Sequence, residues 1–540
     1  MRLTYLMAIS VVLTACSADP KKAEPFGASA ADYVDIVESR FIAKSWSAKS
    51  LPELSAALKN GDLSSAALTQ SYLDRIDNID RNGPTLQSVL ALNPDAMMQA
   101  KASDERRKNN EALGPLDGIP ILLKDNIETL DPVATTAGAY ALKDNMTGRD
   151  SPLAAGLREQ GAVILGKTNL SQWANFRSSE SVSGWSALGG QVRNPHMLDR
   201  SPCGSSSGSG AAIAASLAAG AVGTETNGSI ICPSNVNGIV GFKPTVGLVS
   251  QKYIVPISAS QDTAGPMTKT VKGAAMMLGA MDNQDVDYTE QLTANALQGK
   301  RVGVMRFAEG SNDDVKERFN AGLKAMESAG AILVEIESFS VDVENYGQKS
   351  RDVLLYEFKA GLNEYLVEAA PAVKPRSLDA LIDFNENEPR ELSIFDQDLF
   401  ESAQAKGALS DETYIQAKVD VQRGTGENGI DKLMSDNNVT MLVAPSGPVA
   451  SRIDPVNGDV WPSWAGAGYL AAVAGYPNIT VPMGDVHGVP VGFSIMAGKG
   501  QDASVLAYGY AFEQAGGIRP EAKYLRSAED RIEIGKAMRP

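Results

Sequence analysis

Apolar residues recur along this chain at two periods. Leu68, Tyr72, Leu73 and Ile76 recur at helical spacing, with Leu68–Tyr72 and Tyr72–Ile76 four apart and Leu73–Ile76 three apart, which predicts an amphipathic helix over 64–79. The same spacing predicts helices over 50–59, over 95–107 behind Pro94, and over 503–515. Short apolar runs bounded by Gly or Pro predict strands instead. These are 162–165, 300–305, 332–335 and 441–445, and a turn at 114–118 that runs into a buried strand ending at Leu123. Residues 478–482 and 490–495 read as a strand pair around 484–488. A helix over 313–329 between two strands makes a βαβ unit. Residues 342–422 read as a mostly helical insertion broken at Pro371 and Pro375. Strands alternate with helices and no internal repeat is visible, so the class is α/β.

The stretch 201–245 departs from these patterns. It carries Ser/Gly clusters at 204–210 and 228–229 around an Ala-rich run, 211–220, that predicts a tightly packed helix. A Gly/Ser loop opening a helix offers unpaired backbone N–H groups, which suit an anion or an oxyanion. A flexible linker would share the composition, but periodic segments follow on both sides.

The residues of this stretch resemble the amidase signature family, whose motifs read GGSSGGSA, GTDTGGSIRxPA and GLKPT. Here the chain has CGSSSGSG at 203–210, GTETNGSIICPS at 223–234 and GFKPT at 241–245. It departs at Cys203, Ser207, Gly210, Glu225, Asn227, Ile231, Ser234 and Phe242. Most of these departures resemble the bacterial peptide amidase branch, and the similarity runs from about residue 54 to 515. The resemblance implies one large twisted mixed sheet, mostly parallel, flanked by helices. It implies an amidase domain over 32–540 with its signature core at about 118–266.

By position, Ser229 matches the family's nucleophile, Ser205 its bridging serine behind a cis peptide bond, and Lys124 its base. Thr226, Asn227 and Gly228 match its oxyanion loop. Lysine is a base only when neutral, so Lys124 must be buried away from acidic neighbours. Asp125 is adjacent, but on an extended segment it points to the opposite face. The expected reaction cleaves a carboxamide to carboxylate and ammonia through a serine acyl-enzyme, on C-terminal peptide amides or similar acyl amides. Fatty-acid or aryl acylamide hydrolysis is the alternative within enzymes, and a catalytically silent binding lipoprotein is the alternative outside them. Cys203 and Cys232 lie near this site and could pair in an oxidising periplasm, but free thiols are favoured, because a small-residue core buries cysteine as a hydrophobe.

Other motifs are weaker. Residues 161–168 (GAVILGKT) fit a Walker A pattern, but the four residues between its glycines are themselves a strand-like run. Residues 204–208 (GSSSG) fit a nucleophile elbow, with His487 downstream, yet Ser201-Pro202-Cys203 is a poor strand to precede one. His196 and His487 both fall in turns. Residues 435–437 read SDN, without the S-x-x-K that would accompany it.

Composition narrows the rest. Net charge −16 argues against nucleic acid. With two histidines and three cysteines, neither a His-rich metal centre nor a disulfide-built scaffold is expected. No metal or cofactor is called for, and the expected state is a monomer. Arg2, a short apolar run and Leu13-Thr14-Ala15-Cys16 resemble a lipoprotein signal, with Cys16 as the lipidated residue and 16–31 as a tether. The expectation is a secreted bacterial lipoprotein on a periplasm-facing membrane, the outer one if the cell is Gram-negative.

Overall fold

In a computed structural model that describes residues 46–539, apart from 283, 285 and 462, the short apolar runs join one eleven-stranded sheet. The signal sequence, the tether and Cys16 lie outside the described residues. In chain order the strands are β1 (Val89–Leu92), β2 (Pro120–Lys124), β3 (Val163–Thr168), β4 (Gly220–Glu225), β5 (Val240–Lys243) and β6 (Thr263–Thr268). They continue as β7 (Arg301–Met305), β8 (Ile332–Ile336), β9 (Met441–Pro445), β10 (Asn478–Val486) and β11 (Val489–Met496). The order across the sheet is β1-β3-β2-β4-β6-β5-β10-β11-β9-β7-β8. Parallel pairing holds β3-β2-β4 at one flank and β9-β7-β8 at the other. Antiparallel pairs join the two flanks, including the β10–β11 hairpin.

The central strands have no exposed face. Every residue of β2 to β6 is buried, which is why they read as continuous apolar or small-residue runs rather than as alternating ones. The Walker-like segment is β3 itself, and Lys167 lies inside the strand, so no phosphate loop exists there. The helices follow their predicted periods closely. Residues 51–60 are capped by a Ser50–Glu53 capping box, and 313–328 by Asn312.

One prediction changes in the structure. The Ala-rich helix, here α1 (Ser207–Ala214), starts inside the Gly/Ser cluster and stops early. It ends because Ser216 takes a left-handed φ of 58°, and Ala219 N–H then donates to Pro120 O, committing 220–225 to the sheet beside β2. The helix can start among glycines because Gly208 lies where a Cβ would meet the carbonyl oxygens of Asn169 and Ser88 at 2.3 and 2.4 Å. A second short helix, α2 (Ile231–Asn237), follows the second cluster. Downstream, α3 (Tyr346–Glu368), helices Leu378–Asn387 and Asp398–Gln404, and α4 (Glu412–Thr425) fill 346–425. Leu355, Phe358 and Leu362 of α3 pack in a separate core cluster with Trp173, Val255 and Ile257. Among the described residues, no helix is long and apolar enough to cross a membrane.

Candidate active site

Strand β2 ends by placing Lys124 wholly inside the protein. Its Nζ lies 2.8 Å from Ser205 Oγ, 2.8 Å from Thr224 Oγ1 and 3.2 Å from Thr224 O. Burial pushes the ammonium down from 10.5 to about 7, against the opposing charges of Asp262 and Glu225. Asp125, one residue on, turns to the other side. It accepts bonds from the Thr136 hydroxyl and N–H and faces Lys167 Nζ at 3.3 Å.

Ser205 follows a cis Gly204–Ser205 peptide bond. Its carbonyl accepts from Ser171 N–H, which fixes the segment just ahead of α1. The neighbouring serines are spent on structure. Ser206 Oγ donates to Thr224 O and accepts from Thr224 N–H, Ser207 Oγ donates to Cys203 O, and Ser209 Oγ bonds Val222 O. The Gly/Ser loop does not serve as an anion cradle, since Ser206 N–H donates to Ser229 O and Gly208 N–H to Asn169 O.

That Ser206–Ser229 bond, at 3.1 Å, brings the second cluster against the first. Between β4 and α2 the chain bends through 226–229, and Glu225 pins the far side of the bend. Its Oε2 accepts from Ile230 N–H at 2.7 Å and from Ile231 N–H at 2.9 Å. Gly228 takes a φ of 86° with open space around it, so glycine is there for its backbone freedom and not for room. Among the described residues, the N–H groups of 226–229 and the Ser229 hydroxyl have no hydrogen-bond partner. Ser229 is 9% exposed and Asn227 stands in solvent. A bend with several unpaired donors beside a near-buried hydroxyl can hold a polarised carbonyl oxygen.

Thr226 is tied further. Its hydroxyl donates to Asp262 Oδ1 at 2.5 Å, while Asp262 Oδ2 accepts from the N–H groups of Ile257 and Ser258. Burial raises Asp262 to about 6. Sequence reasoning passed over Asp262, Thr224 and Glu225. Asp262 immediately precedes β6, where no period in the sequence marks it as part of the site.

Cys203 and Cys232 are not free thiols; they form a disulfide. The Ser206–Ser229 bond draws the two segments together, and Cys203 turns back at a φ of 54°, which leaves the Cα atoms 5.9 Å apart, inside bridging range. Neither histidine bonds a serine among the described residues. His196 is buried on Asn237 O, with burial holding it down to about 4, and His487 sits exposed at the β10–β11 turn facing Asp314. The SDN triplet lies at the end of a short surface helix, Lys432–Asp436. No three His, Cys, Asp or Glu side chains converge as a metal-ligand set among the described residues.

A sequence profile of the Amidase family matches residues 67–506. The chain belongs to the amidase family. It is 35% identical over 500 residues to a probable amidase of Arabidopsis thaliana, covering 88% of this chain and 91% of that protein. It is 34% identical over 504 residues to a putative amidase of Schizosaccharomyces pombe, covering 86% of this chain and 84% of that protein. Among solved structures, the native peptide amidase from Stenotrophomonas maltophilia superimposes with a TM-score of 0.82 at 42% identity, over 88% of this chain and 98% of that one. As a family member with these relatives, the amidase is an amidohydrolase.

Proposed function

We propose that this amidohydrolase cleaves carboxamides through an acyl-enzyme on Ser229, with Ser205 passing the proton and Lys124 as the base. The observation that carries the reading is the Lys124–Ser205 contact at 2.8 Å inside a site that lowers Lys124 to about 7. A neutral amine there donates to Thr224 O and Oγ1 and turns its lone pair to the Ser205 hydroxyl. Ser205 can then accept the Ser229 proton as that oxygen attacks the amide carbonyl, and the carbonyl oxygen swings toward the free N–H groups of 226–229. The proton returns to the leaving nitrogen, ammonia departs, and water reverses the path to release the acid.

The substrates we propose are C-terminal amides of peptides. The support is the 42% identity to the Stenotrophomonas maltophilia peptide amidase, and a solved peptide amidase complex with the competitive inhibitor chymostatin that is similar over 88% of this chain. We further propose that the chain is exported and lipid-anchored at Cys16. The Cys203–Cys232 bridge supports export, since disulfides persist in oxidising compartments. Ammonia release from peptide amides, fatty amides and anilides tests the substrate reading: peptide amides are turned over with the highest kcat/KM. Preference for a fatty amide or an anilide overturns that substrate class while leaving the amidase chemistry in place.

A further inference from the structure

We infer that Glu357, in the helical segment far from every signature motif, is a positioning residue that holds the 226–229 bend in register. This inference rests on the reading of that bend as the oxyanion loop.

Glu357 lies on α3 and is 3% exposed. Its Oε2 accepts three hydrogen bonds from one short turn: Ser258 Oγ at 2.5 Å, Ser260 N–H at 2.9 Å and Ser260 Oγ at 2.9 Å. Its Oε1 accepts from Tyr414 OH of α4 at 2.6 Å, with Lys418 Nζ at 3.7 Å. The same turn is gripped from its other side by Asp262, through the N–H groups of Ile257 and Ser258. Asp262 then takes the Thr226 hydroxyl. The bonded path therefore runs from Tyr414 through Glu357, Ser258 and Asp262 to Thr226, and it links the helical segment to the bend.

Attaching α3 to this turn does not require a carboxylate. Leu355, Phe358 and Leu362 already pack with Val255 and Ile257 in one apolar cluster. Burying a charged group next to a second buried carboxylate is unfavourable, and the Glu357 charge is one of the causes that raise Asp262. What the carboxylate adds is direction. Charge-assisted acceptors are short and angular, so three donors meeting one oxygen fix the turn more tightly than apolar contact can. A small displacement of the turn would be carried by Asp262 to Thr226 and so to the N–H groups that follow it. Misplacement of that order costs up to about a hundredfold in rate.

The test is steady-state kinetics on a peptide amide with Glu357→Gln, Thr226→Val and the double variant, each checked for a native melting transition. Glu357→Gln keeps the shape and removes the charge, and is expected to lower kcat about 10- to 100-fold with KM within about threefold. Because both residues act along one path, the double variant is expected to lose no more than the worse single variant. Wild-type kcat in folded Glu357→Gln, or losses that multiply in the double variant, overturns the inference. Should Glu357→Gln fail to fold, Ser258→Ala removes a single hydroxyl of the same path. It is expected to lower kcat about 3- to 10-fold at unchanged KM, and an unchanged kcat overturns the inference equally. Ser229→Ala run in parallel separates the two layers: if it stays active the site reading falls, whereas an inactive Ser229→Ala beside an unimpaired Glu357→Gln removes only the role of Glu357.

Discussion

Replacing Lys124 with methionine exposes the free energy stored in that buried amine. In the unfolded chain the lysine holds its proton up to about 10.5, and in the folded protein only up to about 7. Between those values the unfolded state binds the extra proton, so stability rises with pH across the window. Taken to pH 7, the shift is worth about 4 kcal/mol against folding, and at pH 10 about 1 kcal/mol remains. Methionine has similar length and no proton, so the variant lacks this pH-dependent cost. It does leave the Ser205 hydroxyl without its amine partner, at about 1–3 kcal/mol, while Thr224 O keeps Ser206 Oγ and Thr224 Oγ1 keeps Asn126, and that loss shifts the whole comparison by a constant. The slope is therefore the diagnostic quantity. Urea unfolding of both proteins from pH 7 to 10 should show wild type gaining about 3 kcal/mol on Lys124→Met. Asp262, raised by burial, and the other buried lysines are common to both proteins. Parallel curves would refute a neutral Lys124, and with it the base.

Ser229→Ala should leave a folded protein with no measurable ammonia release, and Ser205→Ala should retain more activity than that, since water can stand in for a relay hydroxyl; equal residual rates in both would argue against the relay. The pH–rate profile should rise through about 7 as Lys124 deprotonates, an inflection close to that of histidine, so the profile alone does not discriminate between the two bases. Substituting both His196 and His487 by Gln does: kcat should stay within a few-fold, and a loss near 10⁴-fold in folded protein would make a histidine the base. Cys203→Ser with Cys232→Ser should lower stability by about 3–4 kcal/mol from the loop between them, read as a urea midpoint shift that reductant reproduces in wild type. Cys16→Ala should release the protein from membranes in a fractionation, and unchanged membrane association would end the lipoprotein reading.

The strands and most helices were legible because their causes are local. Helix 64–79 showed its apolar stripe, and β3 its unbroken apolar run, which was also enough to set aside the Walker pattern. The Ala-rich helix was misjudged because propensity favoured 211–220, while pairing with β2 took Gly220 onward into the sheet. The positions of Lys124, Ser205 and Ser229 came from the motif, but what surrounds them did not. Asp262 and Glu357 lie 95 residues apart in sequence and meet only through a turn, and no period or spacing announces such a contact. The disulfide was weighed but not favoured for a related reason: two cysteines in small-residue surroundings look alike whether or not a backbone bond draws them together.

The Cys203–Cys232 bridge closes residues 203–232 into a covalent ring that contains both Ser205 and Ser229. Within that ring Glu225 is the sole ionisable side chain apart from the bridged cysteines, and there is neither Lys nor Arg. Trypsin therefore has no site inside it. An acyl group trapped on either serine would leave the digest on the same peptide, with the same mass, and tryptic mapping alone would confuse nucleophile with relay. Cutting at Glu225 after reduction separates the two serines, and makes their assignment a matter of which fragment carries the label.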